Sequence, residues 1–383
     1  YADKKMVEQV ENLAKLPFAF HHIVLSPDGH VGYGMPIGGV LATKDVIIPN
    51  AVGVDIGCGM CAVRTSITEL SQDTLKKIMS IIRERIPVGF KHHKDTQDES
   101  LIPSLYAKDN EIAHPFYFDA QKTIIHSEYQ SALKQLGTLG GGNHFIEIQK
   151  GSDGHIWIMI HSGSRNLGKK VADHYNKIAK ELNQKWRSGI PISYDLAFLP
   201  IDSSEGRLYI REMNFCIEFA FANRKLMMDR VCEIIRETST TDVDFAPMIN
   251  IAHNYATLEN HFGENVWVHR KGATLAREGT IGIIPGSQGT KSYIIKGRGN
   301  PESFMSCSHG AGRKMGRKEA SRRLNLDEEI KMLDEKGIIH SLRTVEDLDE
   351  APGAYKNIDA VIQNQDDLIK IINELTPLAV IKG

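Results

Sequence analysis

The stretch Gly53-Val54-Asp55-Ile56-Gly57-Cys58-Gly59-Met60 sets a carboxylate and a thiol close together among three glycines. Glycine is a poor helix former and readily takes positive φ, so this density argues against a helix. The apolar runs on either side, Val46-Ile47-Ile48 and Cys61-Ala62-Val63, read as short strands. The pattern therefore predicts a tight inter-strand loop that aims Asp55 and Cys58 at one point. A carboxylate oxygen and a thiolate sulfur aimed together can share a divalent metal. Taken alone, the octapeptide favours a plainer reading, a glycine turn with a buried, inert thiol, because free Cys is among the most buried residue types. Partners elsewhere in the chain decide between the two.

Upstream, residues 4–16 carry Val7, Val10, Leu13 and Leu16 at helical spacing. Ile23-Val24-Leu25 reads as a strand, and the Pro- and Gly-rich residues 26–34 as a loop. Within it Asp28 and His30 could both face a site, although Pro27-Asp28-Gly29 is also an ordinary turn signal. Downstream, a helix is predicted from Ser71, its cap, to about Arg85. Residues 88–118 read as irregular and 120–136 as a helix. The run Lys91-His92-His93-Lys94 has no apolar frame and reads as a solvated face.

Leu139-Gly140-Gly141-Gly142-Asn143-His144 offers bare backbone N–H groups suited to an anion, and a strand is expected from Asn143. His161 ends the apolar run 156–160 and precedes a Gly/Ser loop, the usual position for a ligand-binding group. His253 repeats that arrangement after residues 248–252. Pro285-Gly286-Ser287-Gln288-Gly289-Thr290-Lys291-Ser292 has glycines and hydroxyls suited to phosphate or ribose. His309, bracketed by small residues, stands before a predicted basic helix with Lys314, Arg317, Lys318, Arg322 and Arg323, whose N-terminus would favour an anion. Helices are also expected at 168–186, 205–237, 326–336 and 358–374, with a last strand ending at Gly383. In the long 205–237 helix, Phe215, Phe219, Met227 and Met228 read as packing.

A chain of 383 residues has room for a large core, and its net charge of -2 excludes a protein that coats nucleic acid non-specifically. Any nucleic-acid contact is expected to be local. Five irregularly spaced cysteines fit a reducing compartment better than a disulfide framework. Neither a signal peptide nor an apolar span of membrane length is visible, so a cytoplasmic protein without a membrane partner is expected. No internal repeat or linker interrupts the sequence, which favours one intertwined domain over residues 1–383.

Of sixteen histidines, His144, His161, His253 and His309 share one signature, a strand end or Gly-rich loop with small neighbours. Singly, each reads as a hydrogen-bonded core histidine. Together with Asp55 and Cys58 they would supply two transition metals with one bridging ligand, a pair suited to phosphoryl transfer.

These blocks, GVDIGCGM (53–60), GGGNHFIE (140–147), HSGSRNLG (161–168), AHNYA (252–256), PGSQGTKS (285–292), CSHGAGR (307–313) and the terminal IKG, resemble the RtcB family of RNA-splicing ligases. The resemblance runs in order from about residue 20 to the end and weakens at 86–120 and 186–206. It implies an α+β fold with mixed or antiparallel sheets flanked by helices, and a metal and nucleotide site in a central cleft. It also implies GTP- and Mn²⁺-dependent joining of RNA 2′,3′-cyclic phosphate or 3′-phosphate ends to 5′-hydroxyl ends, in RNA repair or tRNA splicing. By the same resemblance His309 matches the guanylylated nucleophile and Asp28 an Asp that orients it. Asp55, Cys58, His144, His161 and His253 match the ligands of two Mn²⁺ ions, with Cys58 as the bridge. GTP contacts would come from Asn143, His144, Phe145, Ile146 and Glu147, from His253 and Asn254, and from Pro285, Gly286, Ser287, Gln288 and Ser292. His309, Gly310, Ala311 and Gly312 would add others, with Tyr355 and Lys382 at the guanine. Gln288 stands where the family often has Met. Arg165 and the basic helix are candidates for the RNA backbone, and an activating accessory protein is a further expected partner. Two rival readings share the same residues: a dinuclear metal phosphoesterase using water alone, and a non-catalytic RNA-end-binding module.

Overall fold

The computed structural model describes residues 3–102 and 123–383. Helix α1 (Lys4–Ala14) starts at Asp3, whose carboxylate accepts from the Lys5 and Met6 amides. It leads into β1 (Ala19–His30), β2 (Ile37–Thr43), β3 (Val46–Ile47), a single turn α2 (Pro49–Val52) and β4 (Gly59–Arg64). The chain continues through α3 (Gln72–Arg85), α4 (Ile124–Gln135), β5 (Phe145–Gly151), β6 (Ile156–Ser162), α5 (Arg165–Trp186), β7 (Leu199–Pro200) and α6 (Ser204–Thr238). Next come β8 (Ile249–Ala252), β9 (Asn254–His261), β10 (Glu264–Lys271), β11 (Ala273–Leu275), β12 (Ile281–Ile284), β13 (Ser292–Gly297) and β14 (Ser306–Ser308). Three short helices, α7 (Arg317–Arg323), α8 (Leu326–Glu335) and α9 (Ile358–Gln363), precede β15 (Ile369–Lys382).

The fold is α+β, with antiparallel sheets flanked by helices. Seven strands form one sheet in the order β12-β13-β15-β5-β6-β4-β8, and four form another, β1-β2-β10-β9. Every strand pair in these two sheets is antiparallel. The apolar stripe of α3, Leu75, Ile78, Met79 and Ile82, packs with the second half of α6 against Ile146, Ile148, Ile158 and Ile160 of the large sheet. Each such side chain, fully withdrawn from water, contributes about 1.5–3 kcal/mol. The first half of α6 packs instead with α4 and α5, through Tyr209, Met213 and Phe219 against Leu133, Val171 and Tyr175. The Phe and Met positions of α6 are therefore packing, as their spacing predicts.

Several elements depart from the sequence expectations. Residues 26–30 are strand, not loop: β1 runs on through Pro27, and a register shift between Leu25 and His30 absorbs the Pro-Asp-Gly step. The predicted 120–136 helix is seen from Ile124, its first residues lying outside the described ones. Helix α5 starts at Arg165, inside the expected Gly/Ser loop. The 358–374 helix ends at Gln363, and residues 369–382 form a long strand inserted between β13 and β5. The basic helix begins only at Arg317, not directly after His309 as expected.

Candidate active site

Strand register gathers the histidines. Phe145 pairs with His161, Met60 with His161, and Gly59 with Ala252. Residues 58, 144, 161 and 253 thus fall at one end of four neighbouring strands, β5, β6, β4 and β8. His253 is also the residue at which the chain passes from the large sheet into the small one. The loop that carries Asp55 and Cys58 is pinned there: the Gly57 amide donates to Asn254 O at 2.8 Å, and the His253 amide to Cys58 O at 2.8 Å. Gly57, at φ 72°, lies so close to α6 that a Cβ would come within 2.9 Å of Ile217 Cα.

Cys58 Sγ is 3.5 Å from His144 Nε2 and 3.3 Å from His161 Nε2. His144 Nε2 is 3.1 Å from Asp55 Oδ2, and His161 Nε2 is 3.3 Å from His253 Nε2. Two triads that could hold a metal ion result, Asp55–Cys58–His144 and Cys58–His161–His253, and Cys58 belongs to both. All of these side chains except Asp55 are buried, at 4% exposure or less. The donor set fits divalent metal on a further observation. His144 Nδ1 faces Leu139 O at 3.0 Å and His161 Nδ1 faces Asn143 O at 3.1 Å. Each carbonyl fixes the proton on Nδ1 and turns the Nε2 lone pair inward, the outer-shell arrangement usual for metal-ligating His. His144 Nε2 and Asp55 Oδ2 are 3.1 Å apart, so a proton on Nε2 makes a hydrogen bond there and a cation between the two atoms would take its place.

Electrostatics agree. Burial, with the charges of neighbouring groups, pushes His161 and His253 well below the ordinary imidazole range, keeping them neutral and able to coordinate. Burial would raise the Asp55 carboxyl, but its hydrogen bond and charge interaction with His144 outweigh this and hold it at about 2. Burial, reinforced by the Asp55 charge, pushes the Cys58 thiol up. A bound cation reverses that sign and stabilises the thiolate.

His309 follows β14 across the cleft. Its Nδ1 lies 2.6 Å from Asp28 Oδ2, and its ring centroid is 4.8 Å from that of His253. Asp28 is fully buried, and the same oxygen accepts the His309 and Gly310 amides at 3.1 and 3.3 Å. Burial alone would raise the Asp28 carboxyl; the charge and hydrogen bond of His309 hold it below its ordinary value.

A cleft of about 1470 Å³ joins these groups. Asp55, Cys58, His161, His253, Asn254 and His309 line it, as do Asn143, Phe145 and Glu147. So do Pro285, Gly286, Ser287 and Gln288, and Gly310, Ala311, Gly312, Tyr355 and Lys382. The volume exceeds that of a single small-ligand pocket and leaves room for more than a nucleotide. Three expected contacts are not on this lining, the first being His144, which faces Asp55 and Cys58 within the cluster. Ile146 points into the core beneath the sheet, and Ser292 is buried, accepting the Gly286 amide at 3.1 Å. The Gly286 and Ser287 amides are taken by the Ser292 and Thr290 hydroxyls, so these two do not form a phosphate cradle. Gly140, Gly141 and Gly142 do not line the cleft either; at Gly140, φ 94°, a Cβ would strike the Arg165 guanidinium. Arg165 itself donates to Thr138 Oγ1 and Gly89 O, while Arg317, Lys318 and Arg322 of α7 do line the cleft mouth. His93, in the run read as a solvated face, contacts Gly137 O at 3.3 Å.

Two groups were missed by motif reading. Lys271 is buried in the cleft wall, donating to Tyr33 O at 2.5 Å and Asn50 O at 2.9 Å, and burial brings its ammonium down to about 7. Glu350 is buried against Arg313 at 3.1 Å, Arg317 at 3.0 Å and the Tyr355 hydroxyl. Lys271 works through partners remote in the chain, and so does Glu350 in its pairs with Arg313 and Arg317, so no local signal marks them.

An α+β fold with a His/Cys/Asp cluster of metal-ligand composition beside a carboxylate-tethered histidine defines a class of enzyme rather than a binding scaffold. Residues 9–383 match the family described as RtcB, tRNA-splicing ligase RtcB. The chain is 39% identical to the RNA-splicing ligase RtcB of Escherichia coli K12, covering 98% of this chain and 93% of that protein. It is 32% identical to the tRNA-splicing ligase RtcB of Thermococcus kodakarensis, covering 100% and 94%. The chain belongs to the RtcB family. Among the described residues, no helix is long and apolar enough to cross a membrane.

Proposed function

We propose that this chain, residues 1–383 acting as one catalytic unit, is an RNA ligase that works through a covalent histidine–GMP intermediate. It would join a 2′,3′-cyclic phosphate or 3′-phosphate end to a 5′-hydroxyl end, consuming GTP. The observation that carries the reading is the tethered imidazole: with Nδ1–H held by Asp28, the Nε2 lone pair of His309 is left as the nucleophile. Nε2 bonds to the α-phosphorus of GTP while the bond from that phosphorus to the β-phosphate oxygen breaks and pyrophosphate leaves. Asp28 stabilises the positive charge that develops on the ring. The RNA 3′-phosphate then takes GMP from His309, and the 5′-hydroxyl attacks the activated phosphorus and expels GMP. A cyclic phosphate is first opened by water. Mn²⁺ ions held by Asp55, Cys58, His144, His161 and His253 would neutralise phosphate charge. Glu147 and Lys382, with the Phe145 ring 5.5 Å from the Lys382 ammonium, form a polar end of the cleft suited to guanine edges. Relatives named RNA-splicing and tRNA-splicing ligases support the substrate class.

The test is joining of two RNAs, one ending in 2′,3′-cyclic phosphate and one beginning with 5′-hydroxyl. Product is expected only with both GTP and Mn²⁺ present. Hydrolysis of the phosphate end without joining would favour the phosphoesterase instead.

A further inference from the structure

Helix α6 changes partners midway: Tyr209, Met213 and Phe219 serve one apolar core, and Met227, Val231 and Ile235 serve another. At the seam stand two fully buried polar residues, Asn223 and Arg224. A buried guanidinium is costly, and among the described residues no carboxylate pairs with Arg224. What it does bond is specific. Arg224 Nη1 donates to Gly57 O and to Ser162 O, both at 2.9 Å, and Nε donates to Asn250 Oδ1 at 2.7 Å. Those acceptors belong to the Asp55–Cys58 loop, to the residue after His161, and to the strand that delivers His253. Asn223 covers the remaining ligand segment. Its Oδ1 accepts the Gly137 and Thr138 amides at 2.7 and 3.1 Å, and its Nδ2 donates to Ser162 Oγ and Gly163 O at 3.1 Å. Ser162 Oγ in turn donates to Leu139 O, the carbonyl that also orients His144.

We propose that Asn223 and Arg224 are positioning residues, a two-residue base plate that ties all four ligand-bearing segments to one rigid helix and sets the spacing of the metal donors. The proposal rests on the reading that the cluster holds a divalent metal. Neither residue touches the cleft, so neither contacts substrate. The planar guanidinium reaches three acceptors in one fork, which the single ammonium of lysine cannot do. Loss of an outer-shell partner typically lowers metal affinity 10–100-fold.

The full-length chain titrated with Co²⁺ alone provides the test, read by the thiolate-to-metal charge-transfer band and by far-ultraviolet circular dichroism. Wild type shows the band; its absence would sink the metal reading and the proposal with it. Arg224→Lys is expected to keep the dichroism spectrum while binding Co²⁺ about 10–100-fold more weakly, with an altered band. Glu212→Gln, on the same helix but outside the cluster, is expected to bind as wild type does. If Arg224→Lys binds within twofold of wild type and with the same spectrum, the pair is merely structural and the proposal falls. Should that variant not fold, Asn250→Ser removes one acceptor and keeps the guanidinium, and it must lose affinity in the same direction. Wild-type affinity in that variant overturns the proposal.

Discussion

Asp28 Oδ2 and His309 Nδ1 are 2.6 Å apart, although 281 residues separate them in the chain. The carboxylate comes from the end of β1 in the small sheet and the imidazole from the loop after β14, so their meeting joins two parts of the fold into one site. Asp28→Asn keeps the shape but gives up the charge and allows the wrong ring tautomer. Single-turnover formation of the protein–nucleotide adduct is expected to slow by about 10²–10⁴-fold, with Co²⁺ binding unchanged. An unaltered rate would remove Asp28 from the chemistry.

Cys58 and Cys61 lie in one short segment but face opposite ways. Cys58 Sγ points at His144 and His161, whereas Cys61 Sγ points into the core, 3.8 Å from Arg224 O. Cys58→Ala is expected to lose bound metal and activity, and Cys61→Ala to keep both at a cost of about 1 kcal/mol in stability. Metal analysis of the two purified variants checks this; equal metal content would remove Cys58 from the site. Saturating Mn²⁺ should also raise the unfolding midpoint of wild type but not of Cys58→Ala, by about 2.7 kcal/mol of added stability at a hundred times Kd.

Glu147 is buried, and burial outweighs the charge of Lys382 and the hydrogen bond from Gln149, bringing its carboxyl up to about 8. The folded state therefore binds more protons than the unfolded state between pH of about 4.5 and 8, and stability falls as pH rises through that window. Glu147→Gln has no such titration. Its thermal midpoint relative to wild type is expected to rise steadily from pH 5 to pH 8; a constant difference would show that Glu147 is ionised throughout.

Arg270 anchors the strand that leads to His309. It is fully buried, donates to Ser306 Oγ and Phe304 O at 2.9 Å, and pairs with Glu259. Arg270→Met leaves Glu259 buried and deprived of this partner, and is expected to cost about 3–5 kcal/mol in urea unfolding. A cost below 1 kcal/mol would mean that Arg277 and His261 suffice to hold that carboxylate.

The candidate cluster shows in the sequence because its members stand where an apolar run meets small residues, before the run at Cys58 and His144 and after it at His161 and His253. Asp55, Cys58, His144, His161 and His253 were legible for that reason, and strand register does the gathering. Arg224 was not legible. It sits in an unbroken helical pattern, and its role depends on Gly57, Ser162 and Asn250, which no periodicity links. The end of β15 was expected as strand, but its first part was read as helix because Ile369, Ile371, Ile372 and Leu375 satisfy both periods; pairing on both sides with β13 and β5 decided for strand. Pro377 is accommodated there by a register shift before Ala379. In residues 285–292 the hydroxyls that make the loop look receptive occupy the Gly286 and Ser287 amides, so those two amides are not free for phosphate.

The most direct measurement is incubation of the protein with α-labelled GTP and Mn²⁺, followed by denaturing electrophoresis. A protein-bound label is expected that is labile in acid, stable in base, and absent from His309→Ala. Label retained by His309→Ala, or no label on wild type that joins RNA under the same conditions, would contradict the histidine–GMP intermediate.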